Sequence, residues 1–200
     1  MKYAIVGFGK IGQALAHAFA RKNIDVTVAS RRPPEALAPQ AQAIGPTVVA
    51  KSLRDALAAD TIILAVPFGV HREVAKALVN WKGKTIVDVT NAYGVPPEEL
   101  DGLPSSAVVA KSFTGAKLVK GFNHLPAATL ATDPVVEGGH RVVFLSSDDE
   151  DAIAPVENLA KQLGFAPVEL GKLNEGGALV HARGDIWGQL IFQDLFKKEQ

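Results

Sequence analysis

Cysteine is absent from all 200 residues. That excludes disulfides, a thiolate nucleophile, iron–sulfur clusters and cysteine-ligated zinc within this chain. Net charge is absent too, because 21 Lys and Arg balance 21 Asp and Glu. A chain with no basic excess is not built to coat nucleic acid or an anionic membrane surface. No apolar run approaches the roughly 18 residues of a membrane-spanning helix. A strand-like run begins at Tyr3, which leaves no leader ahead of it. The chain therefore reads as a cytoplasmic protein with no membrane and no nucleic-acid partner. Histidines are few and scattered, and no metal site is expected. The acidic run Asp148–Asp151 reads as a solvated helix start, whose charge suits the positive end of a helix.

What remains is 48% apolar, much of it alanine, which is enough for a sizeable core. Strand-like runs alternate with helical ones, the pattern of a parallel sheet covered on both faces. The strands are Tyr3–Val6, Val26–Ala29, Thr47–Ala50, Thr61–Val66, Lys84–Val89, Ala116–Phe122, Arg141–Leu145 and Ala166–Leu170. Helices are expected over 11–22, 34–45, 69–80, 105–113 and 148–163, with a loop over 133–139. The fold class is α/β, a Rossmann-like, doubly wound, mainly parallel sheet with a short helical C-terminal tail. Residues 1–172 read as the nucleotide-binding domain. Residues 173–200 read as its helical extension, carrying Trp187, Leu190, Ile191, Leu195 and Phe196.

Gly7-Phe8-Gly9-Lys10-Ile11-Gly12 follows the first strand and opens the first helix. Glycine at these three places lets the chain turn tightly, lets N–H groups approach a pyrophosphate and lets helix pack on strand. After the second strand comes Ser30-Arg31-Arg32. An acid there would grip the ribose 2′-hydroxyl of NAD. A hydroxyl and two guanidinium forks suit a 2′-phosphate instead. Asp25, the nearest acid, precedes the strand and lies at its wrong end. The cofactor read from these residues is NADP(H).

Ligands of doubly wound sheets bind beyond the carboxyl ends of the strands. The loops Val66-Pro67 and Thr90-Asn91-Ala92 belong to that end, as does Asn123-His124-Leu125-Pro126, which faces the nicotinamide side. Asn91 suits a carboxamide or ribose contact, or an Asx-turn of its own. His124 suits donation to a substrate carbonyl, or a plain loop role. Short-chain dehydrogenases need Tyr-x-x-x-Lys as a proton donor. Here Tyr3 is followed four residues on by Gly7 and Tyr93 by Pro97. A carbonyl reductase needs such a donor. A reductase that passes hydride to a flavin-like ring needs chiefly two stacked, oriented rings.

The ordered set of Gly7–Gly12, Ser30-Arg31-Arg32, Ala65-Val66-Pro67, Val87-Asp88-Val89-Thr90-Asn91, Val119-Lys120-Gly121-Phe122-Asn123 and Gly164–Gly171 resembles the NADPH-dependent 8-hydroxy-5-deazaflavin reductases. The resemblance spans most of residues 3–173 and extends to the cytosolic domain of membrane metalloreductases, which pass hydride to a flavin. It implies a homodimer that transfers hydride between NADP(H) and a deazaflavin or flavin. It implies that Ser30, Arg31 and Arg32 hold the 2′-phosphate and that Asn123, His124, Leu125 and Pro126 line the deazaflavin. Ala92 stands where that family often carries proline. The rival from another class is a non-catalytic NADP(H)-binding sensor. An imine or β-hydroxyacid reductase ranks lower, because only about 30 residues follow Leu170 and those families add a large helical domain.

Overall fold

The computed structural model describes residues 1–181 and 195–198. Four-residue strands β1 (Tyr3–Val6), β2 (Val26–Ala29), β4 (Thr61–Leu64) and β5 (Thr85–Asp88) join β3 (Val48–Ala50) and β6 (Lys117–Gly121). They lie parallel in the order β3-β2-β1-β4-β5-β6. That is the doubly wound order, with its topological switch point between β1 and β4.

Alternate residues of each strand face opposite sides of the sheet, and both sides are apolar. Ile5, Ile63, Val87 and Val119 pack against α1 (Lys10–Arg21), α2 (Pro34–Ile44), α6 (Ala127–Ala131) and α7 (Glu150–Gln162). Val6, Ile62, Leu64, Ile86 and Leu118 pack against α3 (Leu53–Ala56), α4 (His71–Ala75) and α5 (Ser105–Ser112). A strand buried on both faces gives the continuous Val/Ile/Leu runs seen in the sequence.

The expected helix over 69–80 is cut short. A 3₁₀ turn covers Phe68–Val70 and α4 ends at Ala75. The cause is Trp81. Its indole N–H donates to the Ala75 carbonyl over 2.9 Å, taking the acceptor that a continuing helix would use. The expected loop over 133–139 is a hairpin. β7 (Val135–Val136) pairs antiparallel with β8 (Gly139–Ser146) across Glu137 and Gly138. Both turn residues have positive φ, 50° and 75°, as the tight turns favoured in hairpins require.

β8 continues the sheet antiparallel to β6. β9 (Ala166–Glu169) runs parallel to β8. The helical expectation for the tail is corrected at its end, where Phe196–Lys198 form β10, antiparallel to β8. There the Arg141 guanidinium lies 5.2 Å from the Phe196 ring centroid. The part of that expectation on Trp187, Leu190 and Ile191 lies outside the described residues. Gly176 to Val180 form a 3₁₀ turn. It packs closely because a Cβ at Gly177 would meet Ser146 Oγ at 2.3 Å, and one at Gly176 the Leu170 carbonyl oxygen at 2.0 Å. Among the described residues no helix is long and apolar enough to cross a membrane.

Candidate functional site

The loop between β1 and α1 is shaped by two glycines and opened by a third. Gly7 has φ +102°, and a Cβ there would lie 2.2 Å from the Ala65 carbonyl oxygen at the end of β4. A Cβ on Gly12 would lie 1.9 Å from the Gly7 carbonyl oxygen. Both positions exclude any side chain. Gly9 differs, because nothing stands within 4 Å of its Cβ position. Gly9 is also the N-cap of α1, and no side chain caps that end. The first N–H groups of the helix therefore point out unclaimed, and the helix dipole makes this end positive. No acid lies in the first turn. Phe8 is buried in the core, while Lys10 is exposed beside Gly9 and Ile11 is half-buried.

At the end of β2 the Ser30 hydroxyl accepts from the Arg32 N–H over 3.0 Å. This bends the chain so that Arg31 and Arg32 stand exposed. Neither guanidinium takes part in an ion pair among the described residues. After β4, His71 Nδ1 bonds the Phe68 carbonyl and steadies the Val66-Pro67 loop. Burial pushes the His71 pKa down, with the Phe68 contact pulling the other way.

One cleft of about 560 Å³ gathers Gly7, Phe8, Gly9, Ser30, Arg31, Arg32, Val66 and Pro67. Lys10, Ile11 and Gly12 adjoin it in the first turn of α1. Leu53, Val70, Glu73 and Val74 also line it, and the sequence reading did not single them out as site residues. Their signal was their place at the start of α3 and along the run after Pro67, on the face that turns toward β2 and β4.

The other expected site residues lie elsewhere. Asp88, at the end of β5, is fully buried, and Lys120 of β6 is 1% exposed. Lys120 Nζ donates to Asp88 Oδ2 over 3.1 Å and to the Thr90 carbonyl. The Thr90 N–H donates to Asp88 Oδ1 over 2.9 Å. Burial pulls the Lys120 pKa down and the Asp88 carboxylate opposes this. A buried pair this well bonded fixes where Thr90 and Asn91 sit. Asn91 and Asn123 then clasp each other. Asn91 Nδ2 donates to the Asn123 carbonyl over 2.9 Å, and Asn123 Nδ2 donates to Asn91 Oδ1 over 3.1 Å. Asn123 Nδ2 also donates to the Val180 carbonyl over 2.7 Å, which ties down the segment after β9.

Asn123, His124 and Leu125 are all buried, and of the four loop residues Pro126 alone is partly open. His124 is 0% exposed, packs at 4.9 Å on Phe144, and makes no well-formed hydrogen bond through its ring nitrogens. Burial lowers its pKa to about 4, with the Val142 backbone acting in the opposite direction. It is a neutral core imidazole at pH 7.

A second cleft of about 580 Å³ is lined by Ala92 with the apolar Val95, Leu100 and Leu103 and the polar Ser105, Asn174 and His181. His181 Nε2 sits 2.7 Å from Ser106 Oγ. Among the described residues no three His, Asp or Glu side chains converge as a metal site.

Residues 2–92 match the family described as NADP oxidoreductase, coenzyme F420-dependent. The chain is 39% identical to the hypothetical protein SMa0349 of Sinorhizobium meliloti, covering 99% of this chain and 96% of that one at a TM-score of 0.90. It is 28% identical to an Arthrobacter sp. FB24 protein proposed to be an F420-dependent NADP-reductase, covering 86% of each at a TM-score of 0.69. It is 30% identical over 176 residues to the mouse metalloreductase STEAP2, covering 85% of this chain and 33% of that protein. The chain thus spans about a third of the length of the curated relatives it matches.

Two tests follow. Gly9→Val should keep the melting temperature of the parent and lose NADPH binding, since the side chain fills open space where a pyrophosphate would rest. Gly12→Val should fail to reach the native fold, because it drives carbon into the Gly7 carbonyl. Thermal scans beside calorimetric titration separate the two. A Gly9→Val protein that binds NADPH normally would move the phosphate site elsewhere.

The second test concerns His124. Unfolded, its imidazole takes a proton near pH 6.5; folded, it resists down to about pH 4. Between those values the unfolded state binds more protons. Its share of the stability is therefore present above pH 6.5 and drains away as pH falls toward 4. At about 1.4 kcal/mol per pKa unit the loss is roughly 3 kcal/mol. Urea unfolding at pH 7, 5.5 and 4.5 should show this slope, and His124→Phe should flatten it.

Proposed function

We propose that this chain, whose residues 2–92 match the family described as NADP oxidoreductase, coenzyme F420-dependent, transfers hydride between NADPH and a deazaflavin or flavin acceptor. The observation that carries the nucleotide half is the Arg31-Arg32 corner beside Ser30, free of ion pairs among the described residues and in one cleft with the open Gly9. These residues fit a 2′-phosphorylated dinucleotide. The N–H groups opening α1 take the pyrophosphate. Ser30, Arg31 and Arg32 take the 2′-phosphate, and Val66 and Pro67 back the chain between.

When bound, NADPH supplies the hydride from its nicotinamide ring. The chain's own part is to hold and orient. The Asp88–Lys120 pair holds the Thr90-Asn91 loop at the carboxyl end of β5. The Asn91–Asn123 clasp keeps that loop in register with the end of β6. The second cleft past Ala92 is lined by both apolar and polar residues, which suits a flat amphipathic ring. In this reading Asn123, His124, Leu125 and Pro126 support the acceptor site from behind, with Pro126 nearest to solvent. In this reading the proton that accompanies hydride comes from solvent.

Calorimetric titration should find NADPH bound roughly 10- to 100-fold more tightly than NADH, the worth of one charge-assisted bond. Arg31→Ala should weaken NADPH and leave NADH nearly unchanged. Equal affinities in the parent would remove NADP(H) as the cofactor. NADPH oxidation on adding deazaflavin or flavin tests the acceptor half. Tight NADPH binding with no turnover against either would favour a non-catalytic nucleotide sensor.

A further inference from the structure

We infer that Glu73 reads the adenine ring: its carboxylate accepts a hydrogen bond from the purine 6-amino group and makes the cleft selective for adenine nucleotides. This rests on the reading that the cleft holds NADPH. The phosphate-binding groups take two parts of the cleft, the start of α1 behind Gly9 and the Ser30-Arg31-Arg32 corner. What is left is apolar. Leu53 comes from the start of α3, Val66 from the loop after β4, and Val70 and Val74 from the segment through α4. These residues pack on one face of the sheet, and within the cleft that also holds the Arg31-Arg32 corner they form an apolar slot. The purine hangs from the same ribose that bears the 2′-phosphate. With that phosphate at Ser30 and the arginines, the flat apolar ring falls into this slot.

Among the described residues Glu73 is the single carboxylate lining the cleft. It is exposed and joins no ion pair among the described residues. A lone carboxylate is a poor neighbour for a polyanion, because like charges brought together oppose binding. A direct bond to a neutral donor offsets that, and the slot's occupant offers one in the adenine 6-amino group. A hypoxanthine ring carries a carbonyl oxygen at that place. It would set acceptor against acceptor, so the carboxylate gains no bond there and the site favours adenine. Glu73 also sits in the first turn of α4, where an acid suits the positive end of a helix. That structural role alone would be blind to the base.

The test compares NADPH with its hypoxanthine analogue, deamino-NADPH, by calorimetric titration of the full chain. The parent should prefer NADPH at least about tenfold. Glu73→Ala should weaken NADPH and leave the analogue unchanged or tighter, so that the two bind within about twofold. Glu73→Gln keeps the size, and its amide can face either base, so the preference should narrow there as well. A preference that survives Glu73→Ala would overturn the inference, as would equal tightening of both ligands, which marks repulsion alone. A parent that binds neither nucleotide would overturn the cleft reading itself, and the inference with it.

Discussion

Two backbone contacts that admit no side chain set the geometry from which the rest follows. Gly7 lets the end of β1 lie against the Ala65 carbonyl at the end of β4, and Gly12 lets α1 lie against the Gly7 carbonyl. Together they bring the positive end of a 12-residue helix to the switch point of the sheet. No other residue gives both the turn and the approach, since a Cβ at either place would overlap a carbonyl. Gly9 is free of that constraint, and so the open space beside it is available to a ligand rather than to packing. The arginine corner matters because it stands at the far edge of the same opening.

The other end of the site is held by polar groups instead of glycine. Asp88 and Lys120 are both buried, and together with the Thr90 N–H and carbonyl they satisfy one another. Removing one partner from such a pair costs about 3–5 kcal/mol, because it leaves a charge unpaired in the interior. The pair therefore trades tolerance for position. Through Asn91, Asn123 and the Val180 carbonyl, that position passes to the segment after β9. The Thr90-Asn91 loop, the end of β6 and the segment at Val180 are thereby joined in one hydrogen-bonded network.

The strands and the glycine turn after β1 could be read from sequence because their causes are local. An apolar run buried on both faces looks the same wherever its partners lie, and the three glycines fall at fixed offsets. The readings that failed had distant or unusual causes. Trp81 ends α4 through a bond to Ala75 that no periodicity reports. The Glu137–Gly138 turn lacks the usual Asn-Gly or Asp-Gly signal. Leu53 and Glu73 enter the cleft from elements that meet only once the sheet has formed. His124 and Leu125 lie in the loop after β6, at the carboxyl end of the strand. They are buried because a segment some 55 residues later, packed closely through Gly176 and Gly177, bonds back to the same loop.

The central claim is that one cleft holds a 2′-phosphorylated dinucleotide in one orientation. A crystal structure of the NADPH complex tests it most directly. The account predicts the 2′-phosphate within hydrogen-bond distance of Ser30 Oγ and the Arg31 and Arg32 guanidinium groups. It predicts the pyrophosphate against the N–H groups that open α1 and the nicotinamide toward Asn91. A nucleotide seated past Ala92 in the second cleft, or reversed with its nicotinamide at Ser30, would contradict it.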